Sequence, residues 1–506
     1  MIVVVDFGSQ TCHLIARRIK ELGATVSIIE PEQALTQIKK IKPQGIILSG
    51  GPASVYEKGA PTLERKIFTL GIPILGICYG QQLIAHLLRG KVRRGKVRED
   101  GPATLKINLS SPLLDSISPH SRIWMSHGDE VVLPPPGFSF IGQSDRIQGT
   151  VMANEQRRIY GVQFHPEVEH TEHGLLILKN FLEHVCQVTT TKYSIDLQSI
   201  INKIKKDVGS SRALAAVSGG LDSTVAATLV ARAIGKRLLP VYVDSGLMRT
   251  GTTERVKDFF QSKLDLIPII LKKEDVFLKT LKGVADPEEK RKRIGKLYID
   301  LFQQVIKRYK NVDFLVQGTI YSDVIESKGT KNAVNIKSHH NVGGLPKNLK
   351  LKLLEPIRFL YTDQVRQLAK KLAIPPEIIN QQPHPGPGFA IRIMGEVTPI
   401  RLLLAQQADQ IVVEEVKKAG WYKKLLHSFP VLTGVNSTSV RGDGRFLGEV
   451  VALRLVTSKD RMTADWGKVP YQLLQKITSR LTSEVEGISR VVYDITTKPP
   501  ATMEWE

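Results

Sequence analysis

A five-residue apolar run is followed at once by a serine- and glycine-rich loop and then by a helical pattern. The run spans residues 213–217, and the loop reads Ser218-Gly219-Gly220-Leu221-Asp222-Ser223-Thr224. Between a buried strand and a helix, such a loop points its backbone N–H groups and the positive end of the helix at an anion. The segment therefore predicts a phosphate site in an α/β sheet. The alternative is an ordinary turn in which Asp222 and Ser223 cap the helix.

The loop lacks the lysine of the GxxxxGK[ST] pattern, which argues against simple transfer of a γ-phosphoryl group. It resembles the PP-loop of ATP pyrophosphatases, a family that releases pyrophosphate and leaves AMP on a substrate oxygen. That resemblance implies that residues 218–224 bind ATP and that Asp222 acts through Mg²⁺. A reaction of this class also needs a nucleophile that displaces the AMP.

The length of 506 residues predicts about three domains, at roughly 150 residues each. A hydrophobic content of 42% is typical of a globular protein. The three cysteines, Cys12, Cys78 and Cys186, have neither metal-ligand spacing nor a disulfide framework, and the first ten residues contain no basic n-region. We therefore predict a reducing, cytoplasmic compartment. No apolar stretch approaches the ~20 residues that span a bilayer, so we expect no membrane segment.

The net charge of +22 is unevenly distributed along the chain. Residues 1–188 carry 21 Lys and Arg against 17 Asp and Glu, a net charge of +4, which leaves +18 for the remaining residues. The excess lies in the part that holds the phosphate loop and suits phosphorylated substrates. This positive charge exceeds what two nucleotides need, so most of it is expected on the solvated surface. It also predicts non-specific association with RNA or DNA.

Short apolar runs alternate with helical patterns twice along the chain, which predicts two doubly wound α/β domains. A polar stretch at residues 188–192 ends the first alternation, and the second restarts at residue 212. The proline- and glycine-rich segment 382–388 cannot continue a helix or a central strand, so we expect another boundary there. The expected domains, of which the third is a smaller α+β domain, are 1–188, 189–386 and 387–506.

Cys78 follows an apolar run at residues 73–77 and precedes a helical pattern that begins near Gly80. At such a turn a thiol lies at the positive end of a helix, which favours the thiolate, and a neighbouring imidazolium favours it further. The glycines at 76 and 80 let the chain turn sharply. The pattern predicts a nucleophilic cysteine, and the alternative is a buried structural cysteine.

A histidine and a glutamate two residues apart follow a β-like run. His165 and Glu167 lie on the same side if the extended conformation persists. One can act as a base and the other can orient it, while small residues at 49–52 allow a close backbone approach. We expect an oxyanion hole formed by the N–H groups of Gly51 and Tyr79.

This set of residues resembles the site of class I glutamine amidotransferases, which release ammonia from glutamine through a thioester. The resemblance implies that Cys78, His165 and Glu167 form the catalytic triad. The string at 124–129 resembles the guanylate-pathway members of this class, which implies that His127 shapes the pocket rather than attacking the substrate.

Further strings in the chain resemble glutamine-hydrolysing GMP synthetases, and the resemblance extends over nearly the whole length. These strings are residues 243–246, 287–293, 317–327, 386–388, 442–445, 462–466 and 493–506. The resemblance implies that ATP adenylylates the C2 oxygen of xanthosine 5'-monophosphate (XMP), after which ammonia displaces AMP and gives GMP. Glutamine supplies the ammonia and leaves as glutamate.

The same resemblance implies how the chain contacts its substrate and a second copy of itself. Arg291, Lys498 and Glu504 occupy positions where that family contacts the nucleotide monophosphate. The C-terminal domain is expected to pair two chains in a homodimer. Three departures from the family's pattern bear on nucleotide binding and dimer packing, namely His384, Ser322 and Arg441.

Three other functions remain open from the sequence. A glutamine-dependent NAD synthetase shares the PP-loop but couples it to a nitrilase-like domain without the arrangement of Cys78 and His165. A tRNA-thiolating PP-loop enzyme suits the basic charge but has no use for a glutaminase triad. A nucleic-acid-binding protein on an inactive enzyme scaffold is supported by the charge alone, and the intact loop and triad argue against it.

Overall fold

The computed structural model describes residues 1–9, 11–191, 195–321, 323, 351–441, 444–458, 464–498 and 500–506, without the side chains of residues 96, 97 and 441. These residues form two compact units. The first contains residues up to 191, and the second begins at Ile195 and contains the remainder. The expected domain limits at residues 188 and 386 stay predictions.

The first unit contains a sheet of nine strands among its described residues. They are β1 (Ile2–Val5), β2 (Val26–Ile29), β3 (Gly45–Leu48), β4 (Ile74–Ile77), β5 (Lys91–Ile107), β6 (His120–Leu133), β7 (Ser139–Gln143), β8 (Val151–Asn154) and β9 (Ile159–Val162). Their order is β2-β1-β3-β4-β9-β8-β7-β5-β6. The half from β2 to β9 is parallel, and the pairs in the other half are antiparallel.

Both faces of the parallel half are covered by apolar side chains. The helices of this unit are α1 (Cys12–Glu21), α2 (Ala34–Ile41), α3 (Tyr79–Leu87) and α4 (Gly174–Asn180). Along β1, Ile2 and Val4 belong to one core cluster, whereas Val3 and Val5 belong to another. Continuous apolar sequence is typical of such strands, because side chains on both faces are buried. The predicted α/β fold is confirmed.

The second unit contains a parallel sheet of β10 (Arg212–Val217), β11 (Leu238–Asp244), β12 (Ile269–Lys272), β13 (Val312–Val316) and β14 (Lys352–Leu354). The strand order is β12-β11-β10-β13-β14, so the direction of winding switches between β10 and β13. The helices around it are α5 (Leu197–Val208), α6 (Leu221–Ile234), α7 (Thr252–Leu264), α8 (Glu274–Leu281), α9 (Pro287–Ile306), α10 (Thr362–Lys371) and α11 (Pro376–Ile379). This is the second doubly wound arrangement that the sequence predicts.

The same unit contains a second sheet with a different construction. Its strands are β15 (His427–Arg441), β16 (Gly444–Thr457), β17 (Asp465–Trp466) and β18 (Ile488–Tyr493), and its helices are α12 (Pro399–Lys418) and α13 (Tyr471–Glu484). Strands β15 and β16 are antiparallel, and β18 pairs with β16 in parallel. Val243 and Phe277 share a core cluster with Leu402, Leu453 and Leu481. The α+β part therefore packs on the doubly wound part through a common apolar core.

Helix α3 approaches strand β3 closely at Gly80. The Gly80 N–H donates to Ser49 O at 3.0 Å. A Cβ at this position would lie 2.4 Å from Leu48 O, which is a backbone atom that cannot rotate away. Glycine at position 80 thus sets how near the helix that follows Cys78 lies to the sheet.

We expect Gly80→Ala to lower the free energy of unfolding by about 1–3 kcal/mol, because the added methyl group forces the helix away from β3. Chemical denaturation followed by circular dichroism measures this change. The matched control is Gly128→Ala in the same unit, since a Cβ at Gly128 meets nothing within 4 Å. Equal stability of the two variants would show that the close approach does not constrain the fold.

Candidate active sites

Cys78 lies at the turn between β4 and α3, with a φ of 53° and a ψ of −107°. A residue with a side chain rarely adopts this positive φ, so the surrounding structure must hold it there. The Cys78 N–H donates to Val162 O at the end of β9, at 2.8 Å. A Cβ at Gly76 would lie 2.6 Å from the carbonyl carbon of Gly80, so only glycine fits inside the turn. The nucleophile candidate is thus presented at the N-terminus of α3.

His165 and Glu167 follow β9, the strand next to β4. His165 Nδ1 lies 2.7 Å from Glu167 Oε1, and the Glu167 side chain is completely buried. Burial opposes a charged imidazole, but the charge of Glu167 and hydrogen bonds with Cys78 and Glu167 outweigh it and raise the pKa of His165 well above its ordinary value. The structure therefore brings the three predicted triad residues together, with His165 paired to Glu167 and close enough to Cys78 for the thiol to contribute to its raised pKa.

The Cys78 sulfur has two further polar neighbours. Gln163 Nε2 donates to Sγ at 3.6 Å, and the thiol lies 3.6 Å from its acceptor, Ser126 O. Gln163 was not among the site residues expected from the sequence, although it lies two residues before His165 and therefore on the same side of an extended chain. Ser126 leaves no such signal, because β6 reaches the site through long-range contacts such as the hydrogen bond from the His165 N–H to Trp124 O at 3.0 Å.

The loop at residues 49–52 lies against the triad. A Cβ at Gly50 would lie 3.3 Å from His165 Cε1, and one at Gly51 would lie 3.3 Å from Tyr79 Cγ. Within the described residues, no hydrogen bond between backbone groups uses the N–H of Gly51 or of Tyr79. Both amides are therefore candidates for stabilising a developing oxyanion.

The other histidine and cysteine candidates of this unit have structural surroundings. His127 Nε2 lies 3.0 Å from Glu99 Oε2, and both side chains are buried. Burial, with the charge of Asp6, raises the pKa of Cys12 well above its usual range. Burial raises the pKa of Cys186 to about 12. Both of these thiols are therefore held in the protonated, unreactive form.

The loop at residues 218–224 joins β10 to α6. Gly219 has a φ of +77°, a conformation that favours glycine. Ser223 Oγ lies 3.0 Å from Ser218 Oγ and donates to Gly220 O at 3.1 Å. The serine hydroxyls thus tie the loop to the first turn of α6. Backbone amides at such a helix N-terminus form a cradle that is suited to phosphate.

Two other strand ends border this loop. Asp222 lies in the first turn of α6, and a Cβ at Gly318, after β13, would lie 2.7 Å from the carbonyl carbon of Asp222. Asp244 ends β11, and its Oδ2 accepts a hydrogen bond from Thr253 Oγ1 at 2.9 Å. The three ends meet at the carboxyl edge of the sheet near its switch point, where doubly wound sheets bind nucleotides.

The residues expected at the nucleotide monophosphate lie on two segments that contact each other. The Arg291 guanidinium donates to the main-chain oxygen of Glu506. Both carboxylate oxygens of Glu504 accept hydrogen bonds of 3.0 Å from Arg392. Lys498 forms an isolated antiparallel bridge with the backbone just before β17. Arg392 was not among the site residues expected from the sequence, because no local pattern connects it with its acidic partner 112 residues away.

One of the three departures from the family's pattern is described in full. His384 Nδ1 lies 3.3 Å from Arg392 Nη1. Burial and the charges of Arg392 and Arg249 lower the pKa of His384 well below its ordinary value, so a neutral ring lies beside the guanidinium. Outside the described residues lie Ser322, the side chain of Arg441, and parts of the strings at 317–327, 442–445 and 462–466.

Two family descriptions match the chain, and its relatives match it over the full length. Glutamine amidotransferase class-I matches residues 3–185, and the GMP synthase C terminal domain matches residues 414–505. A GMP synthase [glutamine-hydrolyzing] from Caldanaerobacter subterraneus subsp. tengcongensis is 48% identical over 507 residues, which cover 100% of this chain and 99% of that protein. One from Aquifex aeolicus is 48% identical over 506 residues, which cover 100% and 99%. The chain therefore belongs to the family of glutamine-hydrolysing GMP synthases.

Proposed function

We propose that this chain makes GMP from XMP by two coupled reactions. Glutamine hydrolysis supplies ammonia, and ATP activates the C2 oxygen of XMP as an adenylate that ammonia displaces. Membership of the family makes the chain a ligase that uses glutamine as the amido donor. The grouping of Cys78, His165 and Glu167 at one site carries the proposal, because a PP-loop enzyme that needs no ammonia has no use for a glutaminase triad.

In the glutaminase reaction, Cys78 attacks the amide carbon of glutamine. His165 accepts the thiol proton and passes it to the leaving nitrogen, while Glu167 stabilises the imidazolium. The N–H groups of Gly51 and Tyr79 stabilise the oxyanion of the tetrahedral intermediate. Water then hydrolyses the thioester with His165 as the base, and glutamate leaves.

In the synthetase reaction, residues 218–224 bind the pyrophosphate part of ATP with backbone N–H groups and hydroxyls. The C2 oxygen of XMP attacks the α-phosphorus, and pyrophosphate leaves. Ammonia then attacks C2, and AMP departs with the former C2 oxygen. Arg291, Lys498 and Glu504 are proposed to bind XMP, and the ammonium group of Lys498 suits its phosphate or a developing oxyanion.

Mg²⁺ fits the chemistry of this loop. The ion is usually held by one or two carboxylates together with substrate phosphates, and Asp222 supplies a carboxylate in the first turn of α6. Across the described ranges, His, Cys, Asp and Glu form no group of three or more that could hold a metal on its own. We therefore propose that Asp222 binds Mg²⁺ jointly with ATP, where the ion would neutralise charge on the phosphates.

Pairing of two chains is proposed through the second sheet. Three apolar residues of the β15–β16 hairpin are well exposed, namely Val435 at 59%, Val440 at 76% and Leu447 at 66%. Burial of these side chains in a homodimer would remove apolar area from water.

The remaining expectations concern nucleic acid and location. The excess of +18 after residue 188 supports non-specific association with RNA or DNA, which we propose as a salt-sensitive side property. None of the helices in the described ranges has the length and apolar character that a bilayer crossing needs. The cytoplasmic location stays a prediction.

We expect Cys78→Ala to reduce glutamine-dependent GMP formation by at least about 10³-fold, because the nucleophile is lost. GMP formation from free ammonia at high pH should persist, since the phosphate loop is unchanged. Assays of GMP, AMP and glutamate with each nitrogen source measure the two activities. Cys186→Ala is the matched control and should retain both. Equal loss of both activities in Cys78→Ala would contradict two separate sites.

We expect Glu167→Gln to lower the pKa of His165, because an amide no longer stabilises the imidazolium. The ion pair stabilises the folded chain fully below the ordinary histidine pKa of about 6.5, and this contribution is lost as the pH rises through the raised pKa. Urea denaturation should therefore show a larger loss of stability in the variant at about pH 6 than at about pH 9. The control is Glu169→Gln, whose carboxylate lies 3.7 Å from Arg18. A difference that is constant with pH would refute the charged pair.

We expect Asp222→Asn to stop GMP formation with glutamine and with ammonia, because adenylylation precedes both uses of nitrogen. Release of pyrophosphate from ATP in the presence of XMP and Mg²⁺ is the direct measurement. Asp207→Asn on the exposed side of α5 is the matched control and should leave this rate unchanged. Normal pyrophosphate release by Asp222→Asn would remove the proposed metal role.

A further inference from the structure

Three almost completely buried cations hold one segment of the second unit. Lys290 and Arg392 are 0% exposed, and Arg454 is 1% exposed. All three donate hydrogen bonds to residues 494–506, which we call the closing segment. A buried cation is strongly destabilising unless acceptors satisfy its donors. The closing segment therefore supplies acceptors that the interior of this unit needs.

Lys290 uses its full donor capacity, with one acceptor in the closing segment and two outside it. Its Nζ donates to Ala390 O at 3.0 Å, to Ile393 O at 2.7 Å and to Glu506 Oε2 at 2.7 Å. Burial lowers the pKa of Lys290 and raises the pKa of Glu506, while the charge of each favours the ionised form of the other. Each buried group is therefore stabilised in its ionised form by the charge of the other, and removing one partner leaves the other charge uncompensated.

Arg392 and Arg454 hold residues of the closing segment that precede Glu506. Arg392 donates hydrogen bonds from Nε and Nη2 to the two carboxylate oxygens of Glu504, at 3.0 Å each. Its guanidinium lies 3.9 Å from the centre of the Phe429 ring. Arg454 donates to Met503 O at 3.1 Å and to Asp494 Oδ2 at 2.6 Å. The backbone and the acidic side chains of the segment are thus both held from inside the unit.

We propose that Lys290 and Glu506 are positioning residues of the synthetase site. Through their ion pair they hold the closing segment, which carries Lys498 and Glu504, against helix α9, which carries Arg291. Arg291 itself follows Lys290 in the chain and donates to the main-chain oxygen of Glu506. The inference rests on the proposed function, because it assumes that this set of residues binds XMP.

The geometry predicts a selective effect on one substrate. Loss of the ion pair lets the closing segment shift, and a shift of about 1 Å in a positioned group can reduce catalysis about 10²-fold. The phosphate loop lies on β10 and α6 and makes none of these contacts. Recognition of XMP should therefore weaken while recognition of ATP is retained.

The test uses the full chain with ammonia as the nitrogen source, so that the glutaminase reaction is bypassed. Lys290→Met, Glu506→Gln and the double variant are compared with wild type for kcat and for the KM of XMP and of ATP. We expect each single variant to raise the KM of XMP at least about tenfold, with the KM of ATP nearly unchanged. The KM of XMP in the double variant should be no higher than in the more impaired single variant, because both substitutions remove the same interaction.

The matched control is Arg293→Gln on the same helix. Arg293 pairs with Glu289 at 2.7 Å, and both side chains are 44% exposed. An exposed pair of this kind contributes little, so the kinetic constants should match those of wild type. Direct titration of XMP by calorimetry gives a readout that does not depend on turnover.

Glu506→Gln preserves the size of the side chain and leaves Lys290 its two carbonyl acceptors, so this variant carries the test if Lys290→Met does not fold. An unchanged KM and calorimetric affinity for XMP in Glu506→Gln would overturn the positioning role while leaving the proposed function intact. Equal increases in the KM of ATP and of XMP would also overturn it, since they indicate a general structural defect. A wild-type chain that binds no XMP would overturn both proposals.

Discussion

The parallel pairing of β4 with β9 is the interaction on which the candidate glutaminase site depends. The register matches Ile77 with Val162, and the Cys78 N–H continues the ladder to Val162 O. This pairing places the turn that holds the thiol beside the extended segment that holds the imidazole. Both side chains therefore lie at one carboxyl edge, although the chain forms the whole antiparallel half of the sheet between them. The strained backbone of Cys78 is tolerated because the ladder and the packing of Gly80 determine it from both sides.

In the second unit, parallel pairing also brings strand ends together at one carboxyl edge, here for different chemistry. Its parallel strands also end at one edge, and the loop at 218–224, Asp244 and the segment around Gly318 meet there. The α+β part contributes to this unit in another way, through charges in its interior. Arg392 and Arg454 are almost completely buried and bind the closing segment. Apolar packing therefore sets the positions of the strands, whereas buried ion pairs set the position of the closing segment, which is proposed to lie next to XMP.

Local sequence patterns predict much of the fold and the candidate triad residues. The remaining features depend on contacts between residues that are distant in the chain. The runs at 73–77 and 213–217 are readable because parallel strands are continuously apolar and glycine marks the sharp turns after them. His165 and Glu167 follow from the two-residue period of an extended chain. Ser126 and Arg392 do not follow from any local rule, because their partners Cys78 and Glu504 lie 48 and 112 residues away in the chain. The helix expected to begin near Gly80 begins at Tyr79, since tertiary contacts decide where terminal turns lie.

The sequence separation between Lys290 and Glu506 has a consequence for biosynthesis. The two residues are 216 positions apart, and a ribosome makes the lysine first. Until the acidic partner emerges from the exit tunnel, the ammonium group has only its two carbonyl acceptors and no opposite charge, so its burial is unfavourable. The interior of the second unit is therefore completed only after residue 506 has left the ribosome, whereas the strands of the first unit are synthesised earlier and can fold earlier.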